Sequence, residues 1–261
     1  MSNESKPSAS LVGFVKVLVK LEGAARSQPL TERCSKGGEV MHSRFRDRTE
    51  AGERLAARLA DYANRSDVLV LGLPRGGVPV AYQIAKALNA PLDVWLVRKL
   101  GVPGQEELAM GAIASGGVMV LNNEIIRSLG ISRKVIHQVA VAEKQELERR
   151  DQAYRGHRLP AMIQDRTIIL VDDGIATSST LRAAIAALQQ QHPHQIVVAA
   201  PVAPPSVCES LRSTVDQVIC LETPEPLYSI GMWYVDFSQT TDEEVQALLQ
   251  KSEAELAAIG Q

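Results

Sequence analysis

The sequence predicts an α/β fold in which a mostly parallel, twisted sheet is covered by helices on both faces. Three observations carry that expectation. Short, continuous apolar runs alternate with segments of helical period from about Phe45 onward, the pattern of strands buried on both faces. Several of these runs end in turns rich in Gly, charge or hydroxyl groups, and an open parallel sheet holds its ligands beyond the carboxyl ends of its strands. The chain has 261 residues, 45% apolar and 22% charged, which suits one globular domain with a full core.

Taken in order, residues 1–40 lack an amphipathic period and read as a disordered extension, or as residues ahead of a true start at Met41; residues 41–261 form the domain. "RTEAGERLAARLADYA" places Ala51, Leu55, Leu59 and Tyr62 at helical spacing. "DVLVLGL" is a buried strand, "VPVAYQIAKALNA" a helix and "PLDVWLV" a second strand. Lys99–Gly117, "KLGVPGQEELAMGAIASGG", reads as a long Gly-rich loop. Arg133–Arg155 is a long charged helix with Val135, Val139, Ala142 and Leu147 on its apolar side. "TIILVDD", "QIVVAAPV" and "VDQVICLE" are strands, separated by the helices "STLRAAIAALQQQ" and "PPSVCESLRS". The last helix starts after Thr241, with Glu244 at the spacing of a capping box.

Composition narrows the function classes. A net charge of -2 offers no bulk attraction to nucleic acid or to an anionic membrane, so any phosphate binding is local. Cys34, Cys208 and Cys220 show no metal-ligand spacing and are too few to staple a secreted fold, which points to a reducing cytoplasm. "LVGFVKVLVKL" is interrupted by lysines and falls short of the roughly 20 apolar residues of a membrane span. No GxGxxG follows a strand and no GxSxG elbow is present, which argues against a dinucleotide oxidoreductase and an α/β hydrolase. His157, His192 and His194 read as surface residues.

Three strand ends carry the chemistry, the second of them through Lys99. After the first strand, "GLPRGGVPV" supplies a tight turn with exposed N–H groups at Gly76 and Gly77 and a cationic fork at Arg75, suited to phosphate or pyrophosphate. In "TIILVDDGIATSSTL", Asp172 and Asp173 end a strand, and Thr177, Ser178, Ser179 and Thr180 open a helix whose unpaired N–H groups favour a phosphate monoester. A helix cap explains one or two of those hydroxyls, not four after an acidic pair.

"IILVDDGIATSSTL" resembles the phosphoribosyl-pyrophosphate signature of the type I phosphoribosyltransferases. The resemblance extends from about Phe45 toward the C-terminus through "FRDRTEAGERLA", "GLPRGGVPVA", "VRKLGVPG" and "DFSQTTDEEV". It implies a magnesium-dependent transfer of the phosphoribosyl group of phosphoribosyl pyrophosphate to or from a nitrogenous base, and a small C-terminal hood over the base. Asp172 and Asp173 would bind the ribose hydroxyls directly or through the shell of the Mg2+ ion. Ala176, Thr177, Ser178, Ser179 and Thr180 would hold the 5-phosphate, and Pro74, Arg75, Gly76 and Gly77 the pyrophosphate. Lys99, placed at the end of the second strand, would help neutralise the leaving group under a lid formed by residues 101–111. Glu106 or Glu107 would supply acid–base function, and Trp233, with Tyr234 and Phe237, a stacking surface.

Two positions depart from the family pattern. Many members have Gly where Ser178 stands, and a positive φ there would be costly for Ser. Members acting on 6-oxopurines carry Asp where this chain has Ala176, which makes hypoxanthine and guanine poor fits. The resemblance also implies a homodimer. An alternative function is a non-catalytic regulator that binds phosphoribosyl pyrophosphate or a nucleotide without turnover.

Overall fold

The computed structural model describes residues 44–156 and 158–259. The expectations for residues 1–40, Met41, Cys34 and His157 lie outside the described residues.

Five short strands, β1 (Val68–Gly72), β2 (Leu92–Val94), β6 (Thr167–Val171), β7 (Gln195–Val202) and β8 (Gln217–Glu222), form a parallel sheet in the order β2-β1-β6-β7-β8. Val68 pairs with Thr167 and Thr167 with Gln195, so β1, β6 and β7 run in register. All residues of β1 and β6 are buried, which is why these segments read as unbroken apolar runs instead of alternating ones.

Side chains of period two divide between the faces. Val68, Val70, Ile169, Val171, Val197 and Ala199 share a core with helices α1 (Arg48–Arg58), α2 (Gly77–Leu88), α4 (Arg133–Arg155) and α7 (Asp242–Ile259). Leu69, Leu71, Ile168, Leu170, Ile196 and Val198 share the other with α5 (Ser179–Gln189) and α6 (Pro205–Arg212). Helices therefore cover both faces, as the alternation in the sequence predicts.

Local capping fixes where helices begin. Asp47 accepts the N–H of Glu50 at 2.8 Å to open α1, and Thr241 Oγ accepts the N–H of Glu244 at 3.1 Å to open α7. The C-terminal turn of α4 is anchored by a buried charge cluster. Arg155 Nε donates to Asp93 Oδ1 at 2.9 Å, Arg155 pairs also with Asp151, and Asp93 Oδ2 accepts the N–H of Ala161 at 2.9 Å.

Three expectations need correction. Lys99–Gly117 is largely ordered strand: β3 (Val97–Val102) and β4 (Gln105–Ala114) form a hairpin that continues into β5 (Met119–Leu121) as an antiparallel sheet. The turn is Pro103-Gly104, with Gly104 at φ 81, the positive φ that a type II turn places on glycine after proline. "PLDVWLV" contributes only Leu92–Val94 to the parallel sheet, so Lys99 lies in β3 and not at the end of the second parallel strand. On α4 the buried residues include Ile136, Leu147 and Tyr154, whereas Ala142 is exposed. The segment "LNNEIIRS" also adds a short helix, α3 (Asn123–Ser128), capped by the Asn122 side chain.

The C-terminal segment between β8 and α7 is tied to the start of the domain. Phe45 N donates to Trp233 O at 2.8 Å, and Val235 N returns to Phe45 O at 2.8 Å. Phe45, Ala51 and Tyr234 close a small apolar cluster there.

Candidate functional site

The two loops singled out in the sequence meet at the carboxyl ends of β1 and β6. Leu73 N donates to Val171 O at 2.9 Å, which carries the pairing of the strands one residue past β1. The chain then turns through the cis Pro74–Arg75 peptide into α2. Gly76 and Gly77 are required by proximity: a Cβ on Gly76 would lie 1.9 Å from Asp173 Oδ2, and one on Gly77 would lie 2.6 Å from Val171 O. Gly76 itself has φ -63 and ψ -29, so close approach, not an unusual backbone, demands the glycine.

The acidic pair is asymmetric. Asp173 turns toward α1, where Arg48 Nε donates to its Oδ2 at 2.8 Å and Arg48 Nη2 lies 2.8 Å from the same oxygen. Arg48 is held in turn by Ser238 O at 2.7 Å and stacks 4.0 Å from the ring centroid of Phe237. The Tyr234 hydroxyl donates to the Asp173 carbonyl at 2.7 Å; burial and the Asp173 carboxylate raise its phenol. Asp172 instead lines a cavity of about 100 Å³ with Pro74, Trp95, Arg98, Arg150 and Thr180. Burial and the neighbouring Asp173 push the Asp172 carboxyl well above the usual carboxylate range.

Beyond the pair, Ile175 N donates to Val202 O at 2.9 Å and Arg182 N donates to Ser178 O at 2.7 Å. Between them, the N–H groups of Ala176 through Leu181 find no hydrogen-bond acceptor among the described residues. Ala176, Thr177, Ser179 and Thr180 are exposed. This is a run of unpaired N–H groups at the start of an 11-residue helix, an arrangement suited to a phosphate group. Ser178 has φ -84, in the right-handed region, so the expected cost of Ser in place of Gly does not arise. Trp95 Nε1 donates to Ala184 O at 3.1 Å, which fixes α5 against the exit of β2.

Other expected site residues lie apart from this cavity. Arg75 is 3.6 Å from Asp242, at the first turn of α7, whose Oδ1 also accepts the Tyr154 hydroxyl at 2.9 Å. Burial and the Asp242 contact push the Tyr154 phenol up to about 12. Lys99 and Glu107 face each other across the β3–β4 hairpin at 3.4 Å, and Glu106 accepts the N–H of Gly104 at 3.2 Å. Neither Lys99 nor Glu107 lines the cavity. Trp233 is half-buried, packed against the cluster of Phe45, and Tyr234 is buried, so the aromatic group is chiefly a packing unit; Phe237 is its exposed member.

Sequence reading missed Arg48, Arg98 and Arg150. Arg48 stood inside the quoted "FRDR", but nothing in its spacing pairs it with an aspartate 125 residues away. Arg98 and Arg150 reach the cavity from β3 and α4, and both also bond to helix glutamates, Glu143 at 2.6 Å and Glu146 at 2.7 Å. A larger hollow of about 680 Å³ opens at the opposite ends of β6–β8, beside Asp165, His192, His194 and Asp216. It lies away from the loops described here, and a parallel sheet holds ligands at its carboxyl ends.

The residues available for a divalent cation are few. Among the described residues, no three His, Cys, Asp or Glu side chains gather in a metal-binding group. The Asp173 carboxylate is engaged by Arg48, which leaves Asp172 facing the cavity. One carboxylate fits a Mg2+ ion that takes its other ligands from water and substrate phosphates.

Comparison with known proteins follows the same residues. The family model described as phosphoribosyl transferase domain matches residues 46–111 and 104–232. Two Mycobacterium tuberculosis proteins, from strains CDC 1551 and H37Rv, each bear the name "Putative phosphoribosyl transferase"; they are 42% identical over 216 residues, 83% of this chain and 48% of theirs. The chain thus spans about half the length of these curated relatives. The crystal structure of TT1426 from Thermus thermophilus is similar with a TM-score of 0.73 and 40% identity, covering 80% of this chain and 98% of that one. The matched residues include β1, the Gly76–Gly77 turn, the acidic pair and the opening of α5, and on that extent of similarity the chain belongs to the phosphoribosyl transferase domain family.

Proposed function

We propose that the chain is a magnesium-dependent phosphoribosyltransferase that exchanges pyrophosphate and a nitrogenous base at the anomeric carbon of a ribose 5-phosphate. One observation carries the reading: the Gly76–Gly77 turn, the acidic pair and the bare N–H run of Ala176–Leu181 all follow the carboxyl ends of the neighbouring strands β1 and β6.

In this reading the 5-phosphate rests on the N–H groups of Ala176–Thr180 and on the hydroxyls of Thr177, Ser179 and Thr180. Asp172 accepts a ribose hydroxyl, and Asp173, fixed by Arg48, sets the position of the pair. The Pro74–Gly77 turn takes the pyrophosphate. Arg75 reaches it by leaving Asp242; that ion pair is 3.6 Å long with both side chains more than a third exposed, so it holds Arg75 by no more than about 1 kcal/mol. A doubly charged phosphate outcompetes it. A bound Mg2+, held through Asp172 and water, would supply charge neutralisation of the phosphate oxygens. The hairpin with Lys99 and Glu107 shields the reacting carbon from water when it folds over the ligand, and Glu107 becomes free to handle a base proton when Lys99 turns to the pyrophosphate. Ala176, in place of an acidic residue, disfavours a 6-oxopurine, and Trp233 and Phe237 offer apolar surface near the hood.

The test is calorimetric titration of phosphoribosyl pyrophosphate with and without Mg2+, into the parent and into Asp172→Asn/Asp173→Asn. Metal-dependent binding lost in the double variant is expected; equal binding by both would place the site elsewhere. One observation favours a second reading, ligand binding without turnover: Lys99, a cation assigned to the leaving group, lies on the hairpin and does not line the cavity. Pyrophosphate release from phosphoribosyl pyrophosphate in the presence of a panel of bases separates the two.

A further inference from the structure

We propose that Cys208 and Cys220 form a reversible dithiol–disulfide pair, an oxidative modification site separate from the ligand loops. Cys208 lies in α6 and Cys220 in β8, 12 residues apart, and both are free thiols. Their sulfur atoms are 3.0 Å apart. An approach of about 1 Å brings them to the S–S bond length of ~2.05 Å.

The surroundings suit one sulfur as nucleophile and the other as its partner. Cys208 is buried on α6, and its Sγ shares a hydrogen bond with Cys220 Sγ in which either thiol can be the donor. That hydrogen bond, aided by the charge of Arg212, outweighs burial and lowers the Cys208 thiol to about 7, while the same bond pushes Cys220 up. Cys220 is half-buried on the edge strand of the sheet. Ligand-loop residues lie on β1, β6 and α5, so the pair is not part of the site described above.

Hydrogen peroxide is the oxidant that fits so closed a position. The Cys208 thiolate attacks one peroxide oxygen; the O–O bond breaks, and hydroxide leaves and takes up the proton that Cys208 released. Cys208 is then a sulfenic acid. Cys220 gives up its proton and its sulfur attacks Sγ of Cys208; the S–O bond breaks and the hydroxyl leaves with that proton as water. In sum, two thiols and one peroxide give one disulfide and two waters, and a thiol reductant reverses the change. The bond ties α6 to β8 and closes a short loop in the unfolded chain.

The test is brief treatment of the reduced, full-length chain with hydrogen peroxide, read by intact mass, by peptide mapping under non-reducing conditions and by the thermal unfolding midpoint. The expected result is loss of two hydrogens, a single Cys208–Cys220 cross-link, and a midpoint raised by about 5–10 °C that dithiothreitol restores. Cys34→Ser should behave identically, whereas Cys208→Ser and Cys220→Ser should show no rise. A cross-link to Cys34, stepwise oxidation of Cys208 with Cys220 still free, or two unreacted thiols in the folded chain would each overturn the proposal.

Discussion

Gly76→Ala tests the contact that binds the two loops together. Its Cβ would lie 1.9 Å from Oδ2 and 2.5 Å from Cγ of Asp173, against the 3.0 Å below which real Cβ contacts essentially do not occur. The carboxylate must retreat by about 1 Å, and Oδ2 is the oxygen on which both Arg48 bonds of 2.8 Å converge. The Arg48 and Asp173 side chains are only 12% and 14% exposed, so the separated charges are poorly solvated. Breaking a buried pair costs about 3–5 kcal/mol, which the residual exposure reduces to about 2–4. Against this, the backbone of Gly76 already has helical angles, and alanine there restricts the unfolded chain, a gain of about 0.4–1 kcal/mol. The net expectation is a loss of about 1–3.5 kcal/mol in urea unfolding. In an Asp173→Ala background the obstructing carboxylate is gone, and the same glycine substitution should be neutral or slightly stabilising. Equal effects in the two backgrounds, within about 0.5 kcal/mol, would refute the claim that the Asp173 carboxylate is what Gly76 accommodates.

Asp172→Asn should stabilise the protein near neutral pH. The Asp172 carboxyl is raised in the folded state, so the stability its proton lends is present below its usual value near 3.8 and is lost as pH rises through the raised value; the advantage of Asn should fade on acidification, and a pH-independent difference would contradict this. Asp173→Asn removes the second-largest cause of that rise and should bring the Asp172 carboxyl down, read as a shift in its carbon NMR titration; an unchanged titration would count against coupling between the two. Asp93→Ala leaves the buried Arg155 with Asp151 and Val94 O and takes the acceptor from Ala161 N, and it should cost about 2–4 kcal/mol by chemical denaturation, with a loss under about 1 indicating that the cluster is solvated. Thr241→Ala removes the cap of α7 and should cost about 1 kcal/mol, while Thr241→Ser should cost little; equal losses would show that the methyl group and not the hydroxyl matters.

The parallel sheet was legible because burial on both faces writes itself as unbroken apolar runs: "TIILV" and "VLVLG" can be little else beside turn-rich flanks. The hairpin was not, because Gly101, Gly104 and Gly111 look like loop residues. Two of them permit close packing instead, Gly101 against Glu106 and Gly111 against Val120 O. The Pro103-Gly104 pair was the available sign of a turn between strands. In the site, Gly76, Gly77, Asp172 and the α5 opening were legible because their chemistry is local to a strand end. Arg48 was not, since its role arises from tertiary contact with Asp173 and from a C-terminal segment that folds back onto Phe45.

Two adjacent carboxylates at the end of a buried strand are unfavourable unless their environments differ, and here they do. Arg48 takes Asp173; for Asp172, burial and the charged neighbour favour the neutral form and outweigh the N–H of Asp173 that it accepts at 2.9 Å. The pair therefore gives up stability at neutral pH to hold one carboxyl facing a cavity, with Arg48 bonded to the other. A ligand that brings a cation or several hydroxyl donors to Asp172 removes that penalty when it binds, so part of its affinity is relief of the folded protein's own unfavourable charge. Asp173 differs, because a ligand reaching its Oδ2 must first displace Arg48 and with it the contacts to Ser238 and Phe237. The acidic pair is thus one cavity-facing group and one fastening, and its two residues should respond differently to a perturbation of charge.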